Sequence, residues 1–356
     1  MVLLGPSLSA VSGVSTHLNV LLGSQLAHRY ALSHFQVGSE GRNEGWWQRR
    51  LRLIVSPFTF AEFLLRQRPN IVHINTSLVS RAYWRDFSYL CVAKLLGRKV
   101  VTQIHGGALP EFFAANPIMR LLLHYFLRLS DIVAVLSSEE LRAYRAFEPS
   151  ARVDLVPNAI TLTASLGRMR TEARTDALRL VYIGRIARAK GLFDVMAALH
   201  TLRSKGLVFS FRLAGSGSDE HALRKEINAL GLQDTVHLLG PVFGEKKDRL
   251  WLESDVFVFP TASEGLPYSL LESMAAGCVP LTCIVGAIPD VMQDGVHGVF
   301  VPIGNPSAIA EAIRRLESDR QTLFRMSQAG QGRISEEYTV ERLTTRLEQI
   351  YESLES

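Results

Sequence analysis

Short β-rich runs alternate with helical patterns along the chain, and that alternation leaves few folds open: parallel strands joined by helical crossovers, in sheets covered by helices. Residues 2–5 read as a first strand. A small-residue loop, SLSAVSGVSTH, follows, and then a helix with Leu18, Leu21, Leu22 and Leu26 at helical spacing. Gly13 in that loop can adopt backbone angles closed to other residues and lets a ligand approach closely. Further strands are read at residues 71–75, 99–104, 132–136 and 153–156, with Ser137 or Ser138 capping a helix that opens near Glu139. Past Asn158 the pattern lapses: residues 161–176 carry arginines and threonines with little apolar periodicity, as a linker does. Strands resume at 178–184, 209–214, 236–239, 256–259, 279–284 and 298–301, with helices at 191–202 and 219–230 and an amphipathic helix at 340–354. A chain of 356 residues, 47% hydrophobic, fills two ordinary cores, because single cores stop growing at about 250 to 300 residues. Two domains are therefore expected, 1–160 and 177–338, joined by the linker at 161–176 and followed by a terminal helix at 339–356.

Composition excludes several classes. Arg120, Arg128 and Asp131 interrupt the best apolar stretch, so no run approaches the roughly 18 residues of a spanning helix. The amino terminus lacks a basic region followed by an apolar core and a cleavage site, and a cytoplasmic protein is expected. Cys91, Cys278 and Cys283 make no disulfide framework, and with no companion ligands they read as small buried thiols. The net charge of +5 hides an asymmetry. Residues 1–157 hold 17 Lys and Arg against 10 Asp and Glu, a balance of +7, while the remainder holds 22 against 24, a balance of −2. The basic half suits an anionic partner such as a diphosphate, a lipid headgroup or the inner face of a membrane met peripherally; no nucleic acid is expected. Trp46, Trp47, Arg49, Arg50 and Arg52 would suit a membrane-interface belt, but so short a run reads instead as a solvated loop.

Three stretches carry chemistry. FPTASEGLPYSLLESMAAG, residues 259–277, reads as the end of a buried strand, a loop with Glu264, and a helix opening at Pro267 and closed by Gly277. Backbone N–H groups from Gly265 through Leu266, Pro267's neighbours and Tyr268 to Ser269 would form, with the helix dipole, an anion site beside Glu264, with Glu272 one turn further on. In IGRIARAKG, Arg185 sits past a strand end and Lys190 before the next helix, where a bidentate guanidinium and an ammonium could neutralise a diphosphate; an ordinary basic loop is the bland reading. In LAGSGSDEHAL, Gly215 and Gly217 turn into a helix, but Glu220 replaces the third glycine of a dinucleotide fingerprint, so a packing turn is read there. His105, after the third strand and before Gly106 and Gly107, sits where open α/β sheets gather ligands and could donate a hydrogen bond. A structural histidine bonded to a backbone carbonyl weighs equally. No G-x-x-x-x-G-K-[ST], D-x-D or H-E-x-x-H occurs, so no metal or resident cofactor is expected and anion neutralisation falls to Arg185, Lys190 and helix amides.

Together these residues resemble the retaining glycosyltransferases of family 4, within the group 1 glycosyl transferases. The resemblance is carried by SGVSTH near the start, HGG after a strand, GRxxxxKG at 184–191, and EGLPYSLLESMAAGCVPL, which is close to that family's E-x7-E signature. It covers nearly the whole chain with the motifs in the family's order. The resemblance implies the GT-B fold, an α/β architecture of two Rossmann-like domains facing across a cleft, the terminal helix crossing back to the first domain. It implies that residues matching Arg185 and Lys190 bind the diphosphate of a nucleotide sugar, that Glu264 lies by the hexose, and that Glu272 hydrogen-bonds the ribose. It further implies that His105 contacts the sugar, that the backbone at Gly13 approaches the phosphates, and that the segment 236–242, through Gly240, lines the base. Ser12 stands where many members carry a second glycine.

The expected activity is transfer of a hexose, with retention and without metal, from a nucleotide-diphosphate sugar to a glycan or polyprenyl-diphosphate-linked acceptor in surface polysaccharide or glycoconjugate synthesis. A nucleotide-sugar 2-epimerase of the same fold is the alternative within enzymes. A noncatalytic nucleotide-sugar-binding partner is the alternative outside them, against which Arg185, Lys190, Glu264 and Glu272 all argue.

Overall fold

A computed structural model describes residues 1–39, 42, 44–114, 116–163, 166–167, 169–172 and 176–355, so part of the 161–176 segment lies outside the described residues. Contacts divide the chain into two compact units, Met1–Ala159 with Val340–Ser356, and Ile160–Thr339.

The first unit is built on six parallel strands: β1 (Val2–Gly5), β2 (Ser33–Gln36), β3 (Ile71–Leu78), β4 (Lys99–Gly107), β5 (Ile132–Val135) and β6 (Val153–Leu155), in the order β2-β1-β3-β4-β5-β6. Successive side chains of a strand point to opposite faces, and here both faces are covered, which is why the strands read as continuous apolar runs. Leu3, Ile71, Val101 and Ile132 meet Leu18 and Leu21 of the Gly13–Leu22 helix and Leu347 and Tyr351 of the terminal helix, Val340–Glu355. Val2, Leu4, Val72, Ile74 and Val100 meet Phe60, Leu90 and Phe126 from three helices on the other face.

Those three helices are Trp46–Gln67, Ser80–Leu95 and Pro117–Leu129. The first corrects the reading of Trp46 to Arg52 as a solvated loop. Gln48 accepts a 2.8 Å hydrogen bond from the Gly45 amide at the helix entrance, Arg52 pairs with Glu44 at 3.0 Å, and Phe60 and Leu64 anchor the far end in the core. Arg68, in a left-handed conformation with φ 45°, closes it. The edge strand β2 also had no counterpart in the sequence reading; its residues are all half-buried, which blurs the period-two signal.

The second unit has six parallel strands in the order β12-β11-β10-β7-β8-β9: β7 (Leu178–Ile183), β8 (Phe209–Ala214), β9 (Val236–Gly240), β10 (Val256–Phe259), β11 (Val279–Thr282) and β12 (Val299–Phe300). The order reverses between β7 and β10, and the crevice outside the carboxyl ends of such a pair is where open α/β sheets take ligands. Leu166 is buried in this unit's core and the Arg170 amide donates to Gln331 at 3.0 Å, while most of the other described residues of 161–176 are exposed. Helices Pro306–Ser318 and Arg320–Glu337 complete the unit. All three cysteines are free, Cys278 and Cys283 buried and Cys91 half-buried.

Candidate active site

The segment after β7 turns through a short 3-10 helix, Arg188–Lys190, into the helix Leu192–Ser204. Gly191 at the junction has φ +72°, and a Cβ there would stand 2.3 Å from the Pro260 carbonyl oxygen. Only glycine lets the β7 and β10 segments approach this closely. The Ala262 amide then donates to the Ala189 carbonyl at 2.9 Å, joining the two loops.

This junction brings Lys190 and Glu264 together as an ion pair in which both side chains are largely shielded from solvent. Lys190 Nζ also lies 3.4 Å from the Ser263 carbonyl oxygen, and Thr261 Oγ1 donates to Glu264 Oε1 at 3.2 Å. Arg185, on the same sheet edge, is exposed, and its guanidinium has no carboxylate or carbonyl partner among the described residues. Its backbone is pinned by the buried Tyr182 hydroxyl, which donates to the Arg185 carbonyl at 2.6 Å. Burial holds that phenol well above its ordinary pKa, with Glu264 adding to the rise, so it stays a donor. The Glu264 backbone is fixed from the other side by the loop after β11. Gly286 has φ +54° and a Cβ on it would lie 2.1 Å from the Glu264 carbonyl oxygen, while the Ala287 amide donates to Gly265 at 2.9 Å.

Glu264, Gly265 and Leu266 lead into the helix Tyr268–Ala275, with Pro267 at the N-cap position, φ −74° and ψ 129°. Proline therefore stands one place earlier than the first-helical-position reading; the first-turn amides of Tyr268 and Ser269 still open toward the loop. Gly277, φ +71°, ends the helix as its sequence suggests. Glu272 on this helix accepts from Lys247 Nζ at 2.6 Å and from the Trp251 indole N–H at 3.2 Å. Both partners come from the helix Glu245–Leu252 and were not found by sequence reasoning, because nothing in a 21- or 25-residue separation marks them. Gly240, at the end of β9 with φ +70°, accepts from the Gly215 amide at 2.9 Å, and nothing lies within 4 Å of a Cβ built on it.

In the first unit, His105 lies at the carboxyl end of β4, 2.8 Å through Nε2 from Asn75 Oδ1. Asn75 Nδ2 donates to the Leu4 carbonyl at 3.1 Å, which turns its amide oxygen toward the ring and makes Nε2 the protonated nitrogen. His105 thus spends its proton on Asn75, and what the ring retains is an acceptor, Nδ1. The partner is thus a side-chain amide in place of the backbone carbonyl of the structural alternative. Burial, followed by the neighbouring His17 and His73, holds His105 neutral well below the ordinary imidazole range. The His17 ring stands edge-on to it at 4.7 Å. Gly13 is the first residue of the His17 helix; it has no left-handed backbone, and a Cβ on it would meet nothing within 4 Å. Its expected backbone freedom is not used, and open space is what the glycine leaves. Ser12 caps this helix, its hydroxyl accepting from the Ser15 amide at 3.3 Å.

The second unit thus gathers Arg185, Lys190, Gly240, Glu264, the 265–269 entrance and Glu272 at one sheet edge, while Gly13 and His105 belong to the first unit. Among the described residues no group of three or more His, Cys, Asp or Glu is disposed to hold a metal ion, and no helix is long and apolar enough to cross a membrane.

Residues 168–333 match the family described as glycosyl transferases group 1, and residues 24–159 match a glycosyl transferase 4-like domain. Amylovoran biosynthesis glycosyltransferase AmsK of Erwinia amylovora is 25% identical over 269 residues, 73% of this chain and 62% of that protein, so this chain spans less than two thirds of that relative's length. Sucrose-phosphate synthase from Thermosynechococcus elongatus superposes with a TM-score of 0.79 at 18% identity, covering 99% of both chains. Anabaena HepE in complex with UDP-glucose superposes with a TM-score of 0.76 at 16% identity over 99% of this chain and 100% of that one. Likeness at these identities is one of fold, and the fold is GT-B.

Proposed function

This chain belongs to the glycosyl transferases group 1 family, and on that premise we propose that it moves a hexose, with retention, from a nucleotide-diphosphate sugar to a glycan or polyprenyl-diphosphate-linked acceptor. The observation that carries the reading is the convergence of Arg185, the Lys190–Glu264 pair and a helix entrance outside the carboxyl ends of β7 and β10. Kinship with a protein named for amylovoran biosynthesis supports a role in glycan assembly, and likeness of fold to a protein that binds UDP-glucose supports a nucleotide-sugar donor.

Breaking the glycosyl–phosphate bond leaves positive charge on the anomeric carbon and negative charge on the diphosphate. Cations and amides already in place stabilise both as they grow, without reorganisation. Arg185 is free to grip phosphate oxygens, and Lys190 would exchange Glu264 for the diphosphate. The released carboxylate would then meet the sugar hydroxyls and the electron-poor carbon. Glu272, held by Lys247 and Trp251, would accept the ribose hydroxyls. The acceptor oxygen attacks from the face the phosphate leaves, and the departing phosphate oxygen takes the acceptor's proton. One C–O bond breaks, one forms, and charge neutralisation comes from protein cations rather than a metal ion.

Incubation with UDP- and GDP-sugars in the presence of a chelator, with and without lipid-linked acceptor, tests the reading. Free nucleotide that forms only with acceptor is the expected result. A new nucleotide sugar would mean epimerisation instead, and binding without turnover a binding module. Glu264→Ala should lower transfer by roughly a hundredfold or more with unaltered thermal unfolding; undiminished turnover in that variant overturns the assignment.

A further inference from the structure

The helix Trp46–Gln67 has two apolar faces, and a helix on a folded domain needs only one. Phe60 and Leu64 enter the core. Trp47, Leu51, Ile54, Phe58 and Leu65 follow one another at intervals of four, three, four and seven residues, so they form a single stripe, and they are 75%, 63%, 67%, 73% and 57% exposed. Packing within the unit gives no reason for that stripe. The helix Pro117–Leu129 repeats the pattern: Leu123, Phe126 and Leu127 are buried, while Ile118, Leu121 and Tyr125, spaced by three and four, are exposed. Both helices belong to the same covering layer, because their buried residues join one cluster with Val2, Leu4, Val72 and Val100. The opposite sheet face is taken by other helices.

Charge says what occupant this layer suits. Its three helices, Trp46–Gln67, Ser80–Leu95 and Pro117–Leu129, carry nine Lys and Arg against two Asp and Glu; with Arg52, Lys94 and Arg128 paired to Glu44, Asp131 and Glu148 outside the helices, a surplus of +4 remains. Arg50 stacks over the Trp46 ring at 4.1 Å, and Trp46 packs edge-on to Trp47 at 4.3 Å, at the open end of the stripe. A second copy meeting this face with its own would set one positive surplus against another. An anionic bilayer accepts all three features: aliphatic and phenyl groups at the acyl boundary, tryptophans at headgroup level and arginines against lipid phosphates.

We propose that the first unit docks on anionic phospholipid through this layer, with the Trp46–Gln67 helix lying in the interface plane, Leu51, Ile54 and Phe58 inserted and Trp46 and Trp47 at headgroup level. The inference rests on the first unit alone and stands or falls independently of the donor chemistry, though it would bring the chain to a lipid-linked acceptor.

The full chain is sedimented with vesicles of phosphatidylcholine alone and of phosphatidylcholine mixed with phosphatidylglycerol, and tryptophan emission is recorded. Binding to the anionic vesicles, a blue shift on binding and loss of both at high salt are expected. Ile54→Glu with Phe58→Glu should weaken that binding about tenfold or more while leaving the circular dichroism spectrum unchanged, since both side chains are exposed. Arg49→Gln with Arg50→Gln should remove most of the preference for anionic over neutral vesicles. Failure of the wild-type chain to bind anionic vesicles, or equal binding by the Ile54 and Phe58 variant, overturns the proposal. So does lipid-free sedimentation equilibrium showing a dimer that this variant abolishes, which would assign the stripe to a second copy.

Discussion

Lys190 and Glu264 neutralise each other in the ligand-free chain, so any diphosphate that takes Lys190 must first displace a carboxylate. That competition separates two properties usually lost together. Glu264→Gln should bind a nucleoside diphosphate more tightly than the native chain, because Lys190 is no longer engaged by a charge, and should transfer sugar more slowly. Charge-assisted hydrogen bonds contribute about 1.5–3 kcal/mol, so a gain in affinity of roughly tenfold, at about 1.4 kcal/mol per decade, is expected by isothermal titration calorimetry. Weaker binding by Glu264→Gln would mean that the carboxylate assists the diphosphate rather than competing with it. The two glutamates and two cations stood out in the sequence because their spacing is local: Arg185, Lys190 and Glu264 lie in segments that follow strands, and Glu272 lies on the helix next after Glu264. Lys247, Trp251 and Asn75 did not, since each is defined only by what the fold sets opposite it.

At the scale of elements, the terminal helix shows how much one partner can matter. Tyr351 Oη lies 2.6 Å from His73 Nδ1 inside the sheet–helix interface, and both groups are fully buried. Tyr351→Phe keeps the ring packing and strands the imidazole nitrogen, which costs about 1–3 kcal/mol. A measurable fall in the melting temperature of the first unit is expected, with the melting of the second unchanged; a variant as stable as the native chain would show that the bond contributes nothing net. The parallel strands and the alternating helices were readable because apolar periodicity reports burial. The helix Trp46–Gln67 was not, because its apolar residues answer to two surfaces at once and its arginines mimic a solvated loop. The half-buried edge strand β2 failed for the opposite reason, too little contrast between its faces.

At the scale of the whole molecule, two units with separate cores hold different kinds of switchable group. The first contains His17, His73 and His105, all buried, with His17 pushed down to about 4 and His73 to about 3, burial being the leading cause for each. An unfolded histidine titrates near 6.5. As pH falls below that value, the unfolded chain takes up protons that the folded unit refuses, so stability is full above pH 6.5 and declines toward the folded pKa values. At pH 5 the loss is roughly 2 kcal/mol for each of the His17 and His73 imidazoles. The second unit holds the proposed nucleotide site, and a ligand present at a hundred times its dissociation constant stabilises its binding unit by about 2.7 kcal/mol. Scanning calorimetry should therefore resolve two transitions: one that falls in temperature between pH 7 and pH 5 and ignores nucleoside diphosphate, and one that rises with the nucleotide and changes little over the same pH interval. Replacing His73 by Gln should blunt the acid sensitivity of the first transition and leave the nucleotide response of the second intact. A single transition moved by both acid and nucleotide would contradict the assignment of the two groups to separately cooperative units.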